Sequence, residues 1–163
     1  VLSVSIVDEI LAANARYAAT FEGGSLPVAP GRALAVVTCM DSRIDPAKAL
    51  GLAAGDAHVI RNAGGIVNDE ALRSLVISHH LLGTQEAVVI GHTGCGMVTF
   101  ENSDLHARLG PAAHGIDFQP FPDVADRVRE SVAAIHGSPL LPDSFTAAGF
   151  VFHVENGTLE PVE

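Results

Sequence analysis

Two short apolar runs constrain this chain more than any other feature: ALAVVT at 33–38 and EAVVIG at 86–91. Both lack the apolar–polar alternation of a half-exposed strand, so they suit parallel strands buried on both faces. Between them lies a helix over 70–82, opened by Asn68-Asp69-Glu70 and closed by Gly83. The same alternation runs through the chain. Ile6, Ile10, Leu11, Ala15 and Ala18 sit at helical spacing in an opening helix over 5–20. Gly23, Gly24, Pro27 and Pro30 make 22–31 a loop. Asp45-Pro46 starts a helix of two turns ending at Gly51, and 57–61 is a further strand. Residues 101–122 have no clean period and read as a variable loop with one short helix. A helix over 123–136 follows, then GFVFHV at 149–154 as the last strand and a turn at 155–157. The expected fold class is α/β, a mostly parallel central β-sheet flanked by helices.

A length of 163 residues fits one domain over 1–163. It divides into an N-terminal helix and linker (1–32), a core carrying the candidate site (33–100), and a variable loop, helix and last strand (101–163). The chain is 48% apolar and only 17% charged, a surplus that points to a partner subunit. A net charge of −10 argues against nucleic acid and against an anionic membrane. The opening VLSVSIVDEILAANARY has no basic region, and Asp8 and Glu9 interrupt it, unlike a secretory signal. The longest apolar run, 33–37, is far too short to span a bilayer. These features predict a cytoplasmic protein.

There are two cysteines, Cys39 and Cys95. They are open to a disulfide or, in a reducing compartment, to roles as buried thiols, metal ligands or catalytic groups. Cys39 directly follows one apolar strand, and His92 and Cys95 follow the other. Ligands of open parallel sheets sit beyond the carboxyl ends of the strands, so the three residues are expected together. Two thiolates and an imidazole suit zinc, and three protein ligands leave a fourth position open, as in catalytic sites. Gly94 and Gly96 permit a tight turn at Cys95, and a helix starting there lowers its thiol pKa. Asp41 and Arg43 follow Cys39 closely. Arg43 can fix Asp41 through a bidentate bond. Asp41 then either accepts a hydrogen bond from water on the metal or itself takes the fourth position.

C-x-D-x-R followed, roughly fifty residues on, by H-x-x-C resembles the signature of the β-class carbonic anhydrases. The resemblance runs from Ala33 to Gly96, includes Arg61-Asn62-Ala63-Gly64, and extends to the GFVFHV and NGTL ending. The length is similar to the compact microbial branch. The resemblance implies one Zn²⁺ per chain on Cys39, His92 and Cys95, and the Asp41–Arg43 dyad as catalytic groups. It also implies reversible hydration of carbon dioxide to bicarbonate by hydroxide on zinc. It implies a homodimer or higher homo-oligomer, with the N-terminal helix packed on the partner. Ala53 stands where plant-type relatives have a pocket Gln, and without Trp the Trp-containing bicarbonate site of some relatives does not transfer.

Two thiolates cancel the charge of Zn²⁺ whereas three imidazoles do not, so activity should favour alkaline pH. Among eight histidines, His58, His79, His80, His106 and His114 are candidates to carry the released proton, set against ordinary surface or packed roles. Three other readings compete. The same site would serve a hydrolase of carbonyl sulfide or carbon disulfide. It would serve a non-catalytic zinc protein with Asp41 as fixed fourth ligand. A Cys39–Cys95 redox pair would make His92 incidental.

Overall fold

The computed structural model describes residues 5–163; residues 1–4, the start of the opening segment, lie outside the described residues. Helix α1 (Ile6–Ala18) begins at a reciprocal cap in which Ser5 Oγ accepts from the Asp8 amide while the Asp8 carboxylate accepts from the Ser5 amide. Strand β1 (Leu34–Cys39) leads to α2 (Pro46–Leu50), capped by Asp45 and stopped by Gly51 in the left-handed conformation. Then come β2 (Ala57–Asn62), α3 (Asp69–Leu82) and β3 (Glu86–His92). After these follow α4 (Asn102–Leu109), α5 (Val124–His136), β4 (Thr146–Phe152) and β5 (Leu159–Val162).

The five strands lie in the order β2-β1-β3-β4-β5. The first four are parallel, and β5 returns antiparallel on β4. This is the mostly parallel α/β sheet expected from the sequence. The strands separate two apolar clusters. Ala35, Val37, Ala87 and Val89 pack beneath Leu75 of α3 and beneath Val128 and Ile135 of α5. Val36, Ile90 and Phe152 pack with loop residues Ile44, Ile66 and Phe121 in a second cluster that also holds Cys39 and Cys95. The thiols are therefore walled by apolar side chains from three loops.

Several boundaries differ from expectation. Cys39 and His92 are the last residues of β1 and β3 rather than the first beyond them. Helix α2 has five residues, short of two turns. The irregular 101–122 segment holds the eight-residue α4 and a 3-10 turn at Gly110–Ala113. The 149–154 run is not the last strand: β4 starts earlier, at Thr146, and the turn at 155–157 sends the chain back as β5. Leu159–Val162 contains Glu160 and Pro161 and carries no strand pattern of its own; the free edge of β4 recruits it.

Candidate metal centre

Adjacent parallel strands β1 and β3 deliver Cys39 and His92 to the same sheet edge, and the turn after β3 folds Cys95 back beside them. The donor atoms of Cys39, His92 and Cys95 all lie within 4.8 Å of one another, and all three residues are buried. His92 Nδ1 bonds the Thr93 carbonyl at 2.9 Å, so it carries the proton and Nε2 is left with its lone pair. Nε2 is wholly buried and has no hydrogen-bond partner. A buried lone pair facing two sulfurs is costly unless something fills the gap. Zinc, which takes thiolate sulfur at about 2.3 Å and imidazole nitrogen at about 2.0 Å, fits this donor set.

Main-chain packing shapes the pocket. The loop after β2 crosses the end of β1 so closely that a Cβ on Gly65 would stand 2.7 Å from the Cys39 nitrogen. Gly64 N–H points at Cys39 Sγ at 3.4 Å. Of the two glycines flanking Cys95, only Gly94 needs a positive φ, 59°.

The sulfurs differ. The neighbouring Cys95 side chain lowers the Cys39 pKa against the opposing effect of burial. The same proximity to Cys39 raises the Cys95 pKa, and burial adds to this. The helix expected to start at Cys95 is only a three-residue 3-10 turn, Gly96–Val98, too short to supply a helix dipole. Burial presses His92 toward its neutral form, but the neighbouring Cys39 sulfur, the bond to the Thr93 carbonyl and the charge of Asp41 raise its pKa overall.

Asp41 and Arg43 form the expected bidentate pair. Arg43 Nε donates to Asp41 Oδ1 at 2.9 Å, Nη2 donates to Oδ2 at 2.7 Å, and the Arg43 amide donates to Oδ1 at 2.9 Å. The Arg43 side chain and then its amide hold the Asp41 carboxyl well below the usual carboxylate range. Asp41 Oδ2 lies 3.7 Å from His92 Nε2, too far for a hydrogen bond but near enough to face the donor set. Nη2 of Arg43 also bonds the Gly94 carbonyl at 3.0 Å, tying the two motifs together.

None of the candidate proton carriers is hydrogen-bonded to Cys39, Asp41, Arg43, His92 or Cys95. His58 bonds Ser78, and His79 bonds the Thr84 carbonyl, both toward the opposite end of the sheet. His80 and His106 bond the carbonyls of Leu140 and Ile116, and His114 is exposed. Three more residues border the site; spacing gave none of them a role, and Arg61 entered only through the family resemblance. Thr93 Oγ1 donates to Glu155 at 2.7 Å and accepts from the Val154 amide at 3.0 Å, and Arg61 grips the Cys39–Asp41 segment.

Residues 34–117 match a family model described as carbonic anhydrase. Beta-carbonic anhydrase 1 of Mycobacterium tuberculosis is 40% identical over 98% of this chain and 99% of its own length. The crystal structure of a carbonic anhydrase from Streptococcus mutans superposes with a TM-score of 0.93 at 42% identity, covering 99% of this chain and 100% of that one. A carbon disulfide hydrolase of Acidithiobacillus thiooxidans is 32% identical over 80% of this chain and 77% of its own length.

Proposed function

From its membership of the β-class carbonic anhydrase family, to which this chain belongs, we infer that it is a zinc-dependent carbonic anhydrase catalysing the reversible hydration of carbon dioxide to bicarbonate. One observation carries the assignment of residues: a buried, unpartnered His92 Nε2 converges with two thiols while an anchored carboxylate faces the same space. Cys39, His92 and Cys95 hold one Zn²⁺. When bound, zinc acidifies a water to a nucleophile and stabilises the charge that develops as carbon dioxide is attacked.

The protein groups then have separate tasks. Arg43 keeps Asp41 ionised and its carboxylate oriented. Asp41 accepts the O–H of the nucleophile, which fixes where the remaining lone pair points. The Thr93 carbonyl keeps the His92 ring turned with Nε2 inward. Ile44, Ile66 and Phe121 exclude water from behind the sulfurs. Because Arg43 engages both Asp41 oxygens, the carboxylate would be less available as a fourth zinc ligand, which favours an open site over a closed one.

Carbon dioxide stands ahead of carbon disulfide because the carbonic anhydrase relatives are more identical over more of the chain. The test is metal content with hydration rates from pH 6 to 9, both substrates being offered to one preparation. One zinc per chain is expected, with a rate that climbs with pH because two thiolates neutralise the ion. Hydration at full rate by a metal-free preparation would overturn the reading.

The functional unit is a homodimer or larger homo-oligomer. Helix α1 buries none of its residues, and Ile6, Val7, Ile10 and Leu11 are all more than half exposed. An isolated helix of 13 residues is marginal in water, so this apolar face suits a cover supplied by a second copy. No helix among the described residues is long and apolar enough to cross a membrane. We assign the protein to the cytoplasm, where its two free cysteines stay reduced.

A further inference from the structure

Arg61-Asn62-Ala63-Gly64 has no task in the chemistry above, yet it touches both halves of the Cys39–Asp41 motif. Arg61 is the penultimate residue of β2 and stands opposite Thr38 in the parallel register. Its guanidinium is directed at two main-chain carbonyls: Nε donates to Cys39 O at 2.8 Å, and Nη2 donates to Asp41 O at 2.7 Å. One planar fork therefore spans a metal-ligand residue and the carboxylate residue two positions on. Strand β1 ends at Cys39, so regular pairing stops where the position of Asp41 begins to matter. Two further bonds complete the hold. Met40 N–H donates to Asn62 O at 2.9 Å, and Ile44 N–H donates to Asp41 O at 3.1 Å. Asn62 is itself fixed, because its side chain donates to Ile66 O at 2.8 Å and accepts from Ile66 N–H at 2.9 Å.

We propose that Arg61 is a positioning residue that sets the Asp41 carboxylate relative to the metal ligands by clamping the main chain at Cys39 and Asp41. The inference rests on the functional reading above for what Asp41 does. Arg43 restrains the Asp41 side chain, but a side chain is placed only as well as the backbone that carries it. Displacing a reacting group by about 1 Å can cost 10²-fold in rate. Bonds from a charged donor are roughly twice as strong as neutral ones. The rigid fork matters as much as the charge: a lysine ammonium is a point donor on a flexible stem and cannot define the same geometry.

The test uses Arg61→Ala and Arg61→Lys in the full chain, each made also in an Asp41→Ala background. Zinc affinity is measured by chelator competition, and kcat and KM for carbon dioxide are measured separately. Arg61→Ala should lower kcat about 10- to 100-fold and weaken zinc about 10-fold, the range seen when outer partners of metal ligands are removed. KM should change less than 2-fold. Arg61→Lys should recover part of both losses. With Asp41 already removed, the same Arg61 substitution should cost less than about 3-fold in kcat, because its main effect passes through that carboxylate. Unchanged kcat and zinc affinity would overturn the proposal. So would an equal loss in both backgrounds, which is what a merely structural role gives. Should the alanine variant fail to fold, the lysine pair completes the same cycle. Zinc binding with turnover of carbon disulfide alone would sink the assigned substrate and leave Arg61 testable on that substrate.

Discussion

Replacing Gly65 by alanine should damage both the fold and the metal site, and the structure separates the two contributions. Gly65 has φ +64°, where an alanine costs about 1–2 kcal/mol. Its Cβ would also lie 2.7 Å from Cys39 N, 2.8 Å from the Thr38 carbonyl carbon and 3.1 Å from Ile90 O. These are main-chain atoms of two central strands, so no side chain can rotate away. Overpacking of this kind adds about 1–3 kcal/mol, for a total of about 2–5 kcal/mol. Gly83 is the internal control. It has φ +79° with no atom within 4 Å of an added Cβ, so Gly83→Ala carries only the conformational cost. At about 2–4 °C per kcal/mol for a chain of this size, Gly65→Ala should lower Tm by roughly 4–20 °C and Gly83→Ala by roughly 2–8 °C. Calorimetry on both metal-free variants gives the comparison. Chelator competition should then show zinc affinity reduced about 10-fold for Gly65→Ala alone, since the clash bears directly on Cys39. Equal Tm and equal zinc affinity in the two variants would refute the steric reasoning.

Three further outcomes follow from the same geometry. Cys95→Ser should lose zinc to a competing chelator, whereas Asp41→Ala should keep it and lose about 10- to 100-fold in kcat; metal analysis beside kinetics separates the two. The Asp41 carboxyl is held below its ordinary 3.8 by Arg43, so the stability this pair contributes is present above about pH 4 and lost as pH falls further. Urea midpoints of wild type and Arg43→Gln should therefore differ by a constant amount above about pH 5 and converge toward pH 2; divergence on acidification would reverse the sign of the argument. Leu11→Glu places a charge on the uncovered face of α1 and should halve the mass recorded by light scattering if that face joins two copies.

What could be read from the sequence depended on whether a feature leaves a mark on its own residues. The runs at 33–38 and 86–91 are buried on both faces, and burial of that kind demands apolar, β-branched side chains that are visible in the sequence. The caps of α2 and α3 announce themselves through Asp45, Gly51, Asn68 and Gly83. β5 does not, because pairing with β4 creates it and Leu159–Val162 has no strand propensity to declare.

The site divides along the same line. Cys39, His92, Cys95, Asp41 and Arg43 are proposed to act through their side chains, and few residue types can do such work, so type and spacing expose them. Arg61 acts on the carbonyls of Cys39 and Asp41, and the Thr93 carbonyl orients His92. Every residue owns a carbonyl, so spacing cannot reveal which one is being held. Chemistry carried by side chains is thus legible, whereas the precision with which it is held depends on main-chain groups brought together only in the fold.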